Sequence, residues 1–189
     1  MNAPRIRQVG AMLAILGGIF WIASVAWYAQ QPTYEDELKE GWETFNRLTT
    51  TIPILFAPAL YGMHLLQAHK ARRVESLALR LVLLGTLVIG GVRLLVDIGV
   101  LPSPIVLLAI IIYILVFIWF LVETLMADVL SRAPVLCLLT STLVMAAFVA
   151  SETQLIWLAS FYAVAWIILG FLLWKGTLTK ASEPVEGTA

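Results

Sequence analysis

The sequence predicts an all-α polytopic membrane bundle: six transmembrane helices, both termini inside, and a short amphipathic helix on the outer surface between the first two spans. Three observations predict it. Of the 189 residues, 61% are hydrophobic and only 13% charged, with a mean hydropathy of +0.94, whereas a soluble domain is about 45–50% apolar and about 25% charged. Six long apolar runs follow one another, at 9–29, 48–66, 77–101, 104–126, 134–150 and 155–174. Lysine and arginine fall in alternate connections. One transmembrane domain therefore covers 1–180, and the polar stretch 181–189 reads as a disordered cytoplasmic tail.

The first run is preceded by Arg5 and Arg7 and contains Ser24-Val25-Ala26, which mimics a cleaved signal peptide. A signal core is about 7–15 residues long, and this run continues uncharged through Trp27 and Tyr28, so a retained helix is expected. In the second span Pro53 and Pro58 each remove a helix hydrogen bond and free the carbonyls of Thr49 and Ile54. The hydroxyls of Thr49, Thr50 and Thr51 are expected to re-satisfy that turn. Pro102-Ser103-Pro104 joins the third and fourth spans, and residues 151–154 join the fifth and sixth. Connections this short force antiparallel neighbours, hence two hairpins. The fifth span is near the lower limit of roughly 17 residues, which leaves a re-entrant helix as its alternative.

Only the connection 30–47 is long. Thr33 is placed to cap a helix that starts in acidic residues, and Tyr34, Leu38, Trp42 and Phe45 recur at helical spacing. This segment is expected to lie on the outer membrane surface, apolar side down. Trp27, Tyr28 and Trp157 are expected at the outer interface and Trp174 at the inner one.

If six helices alternate, Arg5, Arg7, Lys70, Arg72, Arg73, Arg132, Lys175 and Lys180 all land on one side. The positive-inside rule makes that side cytoplasmic. The other side carries Glu35, Asp36, Glu37, Glu40, Glu43 and Glu152 against Lys39 and Arg47. A plasma membrane, with a bacterial cytoplasmic membrane as the setting, is the expected location.

Ionisable residues inside spans are costly, so they are the default functional candidates. Thr86, Gly90, Arg93 and Asp97 follow at intervals of four, three and four on the third span and form one polar or small-residue stripe. Arg93 and Asp97 are an i,i+4 pair expected to neutralise each other. Counted from Pro102, Asp97 lies about 8 Å and Arg93 about 14 Å deep, the latter close to the midplane. A second cluster, on the cytoplasmic side, is His64, Arg80 and Glu123. Arg80 and Glu123 are 22 and 21 residues from Pro102, at similar depth, which suggests a boundary salt bridge or an arginine reaching for headgroups. Gly10-x3-Ala14-x3-Gly18 and Thr142-x3-Ala146-x3-Ala150 allow close helix approach.

Much chemistry is excluded. Twelve Lys+Arg balance twelve Asp+Glu, so no global basic surface exists for nucleic acid. A single cysteine, Cys137, allows no internal disulfide and no CxxC pair. His64 is the one histidine placed to ligate, since His69 falls in a basic loop, which argues against a bis-histidine haem. Neither HExxH, GxSxG, P-loop nor GxGxxG occurs. No catalytic, cofactor-binding or metal-binding residue is therefore expected. The expected partners are the lipid bilayer and other membrane proteins. Three classes of function remain: a non-catalytic accessory, assembly or signalling component acting through helix contacts; a small transporter or channel for an anion or proton using the Arg93/Asp97 stripe; and a lipid- or quinone-directed enzyme using His64, Arg80 and Glu123.

Overall fold

The computed structural model describes residues 3–31, 41–68, 73–102, 104–150 and 157–179. Among them the chain is all-helical: α1 (Ala3–Ala29), α2 (Trp42–Thr51), α3 (Pro53–Gln67), α4 (Arg73–Asp97), α5 (Pro104–Ala127), α6 (Arg132–Ala150) and α7 (Ala159–Lys175). Pro4–Ala29, Trp42–Gln67, Arg73–Asp97 and Pro104–Ala127 are each long and apolar enough to cross a membrane. The tail 181–189 and the stretch 32–40, where the sequence places Thr33, Tyr34 and Leu38, lie outside the described residues.

The helices close into a ring in chain order. α1 packs on α3, α3 on α4, α4 on α5, α5 on α6, α6 on α7, and α7 returns to α1. Both expected hairpins are present as the packed pairs α4–α5 and α6–α7. Small residues let α1 approach its two neighbours. A Cβ on Gly10 would stand 2.6 Å from the Pro58 carbonyl oxygen on α3, and one on Gly170 of α7 would stand 2.8 Å from the Ala11 carbonyl oxygen. The Gly10/Ala14/Gly18 motif thus serves packing within the bundle: Gly10 faces α3, and Gly18 faces Ala163 and Ile167 of α7. One end of the ring gathers the start of α1 and the close of α7, where Gly176 lies against Arg7; we call it the terminal end and the opposite one the distal end.

Aromatic side chains fill the middle of the ring. Phe56 of α3 stacks on Trp166 of α7 with centroids 4.1 Å apart, and Phe117 of α5 lies parallel on the same indole at 6.0 Å. Tyr162 meets Trp21 of α1 edge-on at 5.3 Å. All five rings are buried. Such pairs add about 0.5–1.5 kcal/mol each beyond area burial and favour one defined arrangement.

Three expectations about the elements need correction. The segment read as a surface helix is partly the start of the second span: α2 runs into α3 with only Ile52 between them, and the Ile52 amide still donates to the Leu48 carbonyl at 3.0 Å. Phe45 is buried there, stacked on Tyr28 at 4.6 Å, with Trp42 beside both. Tyr28 is accordingly a core residue, while Trp27, Trp157 and Trp174 are exposed. The cause is local. Gly41 starts α2 with a left-handed φ of 79°, and a Cβ there would collide with the Trp27 ring at 2.6 Å, so the chain folds tightly back over the end of α1.

The third span is also displaced. α4 covers Arg73–Asp97, where the apolar run suggested 77–101. Gly99 at φ 76° stops it: the Gly99 amide donates to Val96 and the Val100 amide to Leu95, the double closure of a glycine-ended helix. Hydropathy is blind to that stop because Ile98, Val100 and Leu101 are as apolar as the helix itself. Finally, α7 begins at Ala159, four residues later than the apolar run.

The threonines are used differently from expectation. Thr49 donates to the Phe45 carbonyl at 2.9 Å and Thr50 to Asn46 at 2.6 Å, one turn upstream. They do not reach the carbonyls freed by Pro53 and Pro58. Pro53 instead occupies the first turn of α3, where a missing N–H costs little.

Candidate functional site

At the distal end, Arg93 and Asp97 pair as the i,i+4 spacing requires, with Arg93 Nη2 3.0 Å from Asp97 Oδ1. The same Oδ1 lies 3.3 Å from Nε of Arg47 on α2, and Arg47 reaches back to Glu43 at 3.8 Å. Two guanidiniums thus share one carboxylate. The Arg93 side chain is 10% exposed and the Asp97 side chain 26%, so the pair is sheltered without being sealed. Because α4 ends at Asp97, the carboxylate stands at the helix terminus and Arg93 only about 6 Å below it. The helical count from Pro102 that gave Arg93 its expected depth therefore does not hold, since the helix does not run on from Asp97 to Pro102. Thr86, on the same α4 face, is buried and donates to the Leu83 carbonyl at 2.7 Å, remote from the ion pair by about 10 Å of helix.

At the terminal end, the close of α3 and the start of α4 bring His64 to Glu75. His64 Nδ1 lies 2.9 and 3.1 Å from the two carboxylate oxygens. Gln67 Nε2 donates to Glu75 Oε1 at 2.8 Å and to Thr124 Oγ1 of α5 at 3.3 Å. Glu75 is fully buried and His64 17% exposed. A buried carboxylate is stable only when its lone pairs are met, and here a histidine and an amide meet them. The network ties α3, α4 and α5 together at one level. Gln67 shares the His64 face of the second span by its spacing, but sequence reasoning missed Glu75 and Thr124. Glu75 lies just before the apolar run and reads as a loop acid, yet it shares a helical face with Val82, Thr86 and Arg93, a pattern visible once α4 is started at Arg73.

Arg80 and Glu123 do not join His64. Seen along α4, Arg80 points away from the buried face and is exposed. Among the described residues it forms no ion pair with Glu123, whose Oε2 is buried without a hydrogen-bond partner. Equal depth on neighbouring helices is not contact when the two side chains leave opposite faces.

No group of three or more His, Cys, Asp or Glu among the described residues is placed to hold a metal ion. The class that these observations define is an all-helical protein with four helices fit to cross a membrane and, among the described residues, a buried or sheltered charged pair at each end of α4. Beyond that class, comparison with known proteins adds nothing: no family model, curated protein or solved structure matches the chain.

Proposed function

We propose that the chain is a six-span plasma-membrane protein with both termini cytoplasmic, acting without catalysis as an accessory, assembly or signalling component through helix contacts. The observation that carries this reading is the packed centre: Trp21, Phe56, Phe117, Tyr162 and Trp166, from four different helices, close the middle of the ring. The paired charges support it. Asp97 and Glu75 are each met by side chains of the same chain, so they cross-link helices. The apolar outward faces of α4 and α5 suit lipid or a partner's helices.

Topology is tested by cysteine labelling. Cys137 lies exposed on α6, and its replacement by Ala leaves a background for single cysteines at Thr33, Ala71 and Ser182. An impermeant maleimide added to intact cells should label the first alone; labelling at Ala71 overturns the orientation. Function is tested by native mass spectrometry after in-cell cross-linking from α4 and α5. One reproducible membrane-protein partner, lost when Leu84 and Leu87 are replaced together by Ala, is the expected result.

A second reading, a small carrier for an anion or proton, draws on the two guanidiniums sharing Asp97. It requires flux in proteoliposomes that Asp97→Asn abolishes.

A further inference from the structure

The outward face of α4 carries two arginines that its inward face does not explain. The buried residues of α4 are Glu75, Ala78, Leu79, Val82, Thr86, Ile89 and Arg93. At 100° per residue, Arg73 and Arg80 lie about 20° apart from each other and roughly opposite that set. Both are exposed, in line with exposed Leu77 and Leu84. Among the described residues neither forms an ion pair, while Arg47, Arg93 and Arg132 each do.

We propose that Arg73 and Arg80 form a binding site for the phosphate of an anionic phospholipid in the leaflet at the terminal end. The inference rests on the membrane reading and goes beyond it. Seven residues separate the two arginines, about 10 Å of helix. Side chains on a helix lean toward its N-terminus. The N-terminus of α4 lies at the terminal end, so Arg80 leans toward the turn that carries Arg73. An arginine inside the hydrocarbon edge, with leucines on either side, reaches the headgroups along the direction its Cβ already takes. There the two guanidiniums face one headgroup level, and a planar guanidinium matches phosphate oxygens in bidentate fashion. Opposite charge selects the lipid: a zwitterionic headgroup brings its own cation to the site, an anionic one does not.

The test uses the full chain purified in mild detergent and titrated with phosphatidylglycerol, phosphatidylcholine or inorganic phosphate, read by native mass spectrometry. Each basic residue near an anionic surface contributes about fivefold in lipid affinity, so Arg80→Gln should weaken phosphatidylglycerol binding about fivefold and Arg73→Gln/Arg80→Gln about 25-fold. Arg80→Lys should retain most of the binding. Phosphatidylcholine should bind no better to the native chain than to the double variant. Competition by millimolar inorganic phosphate would show a free-anion site and overturn the lipid assignment, as would phosphatidylglycerol binding unchanged in the double variant. Both arginines point out of the core, so unfolding in lipid-free detergent should be unchanged. If Arg80→Gln does not fold, Arg73→Gln alone still reports a fivefold loss or its absence. Carbonate extraction of membranes runs in parallel: a chain released by carbonate refutes the membrane reading, whereas a chain retained there with equal affinity for both lipids refutes this site alone.

Discussion

Arg47 of α2 and Arg93 of α4 close on the same carboxylate oxygen of Asp97, at 3.3 and 3.0 Å. The pairing within α4 is local, but the third partner fastens the start of the second span to the end of the third. Asp97 therefore has two cations and Arg93 has one anion, and this asymmetry decides how the cluster responds to substitution.

Asp97→Ala is expected to be the most damaging single change, because it strands Arg93 and arginine does not deprotonate in proteins. Arg93→Ala leaves Asp97 with Arg47 and should be milder. Arg47→Ala, an exposed pair partner, should cost about 0.2–1 kcal/mol. Unfolding in mixed micelles should show Arg93→Ala/Asp97→Ala recovering at least about 1 kcal/mol over Asp97→Ala, the size of coupling typical for groups in contact. Strict additivity would mean that the contact carries no energy.

At the terminal end, Glu75→Ala removes the acceptor for both His64 Nδ1 and Gln67 Nε2. Gln67 Nε2 keeps Thr124 Oγ1 at 3.3 Å, whereas His64 Nδ1 loses its partner. A sheltered polar group left unmet costs about 1–3 kcal/mol, so the loss should exceed that of an exposed-pair deletion. Glu75→Gln keeps the shape and one acceptor oxygen and should fall between Glu75→Ala and the native chain. Thermal unfolding in one detergent ranks the three; equal stability of all three would show that the network is not a clamp.

Helix approach is checked at two glycines. Gly10→Ala places a methyl 2.6 Å from the Pro58 carbonyl oxygen and 2.9 Å from Ala59 Cα, both backbone atoms, so α1 must move away from α3. The expected cost is about 1–3 kcal/mol, as for other overpacked cores. Gly91→Ala meets nothing within 4 Å and should be neutral or slightly stabilising. The same unfolding assay separates them, and a tolerated Gly10→Ala would mean that the α1–α3 contact is loose.

In the middle of the ring, Phe56→Ala removes the ring stacked on Trp166 and leaves a void among buried aromatics. A loss of about 3–5 kcal/mol is expected. Near-ultraviolet circular dichroism should weaken with it, because the indole loses the nearest of its ring neighbours. An unchanged spectrum would indicate that Phe117 and Tyr162 fix Trp166 without Phe56.

The sequence by itself determined whatever depends on local geometry or composition: the helical class, the apolar runs, the two short-looped hairpins and the Arg93–Asp97 pair one helical turn apart. The stop of α4 was misplaced at 101, because hydropathy is blind to the left-handed Gly99 that ends the helix. Only the tertiary structure decided which face of each helix turned inward. In apolar helices such as α5 and α7, every face is apolar, so no amphipathic pattern marks the buried side. That choice fell to close approach at Gly10, Gly18 and Gly170 and to aromatic stacking across the ring. Its consequences were set together. Glu75 turned in to meet His64, Gln67 reached Thr124 from 57 positions away, Arg47 reached Asp97, and Arg80 was left facing outward. The physical reason is that an i,i+4 neighbour is set by the helix repeat, whereas a partner on another helix depends on rotations that only packing constrains.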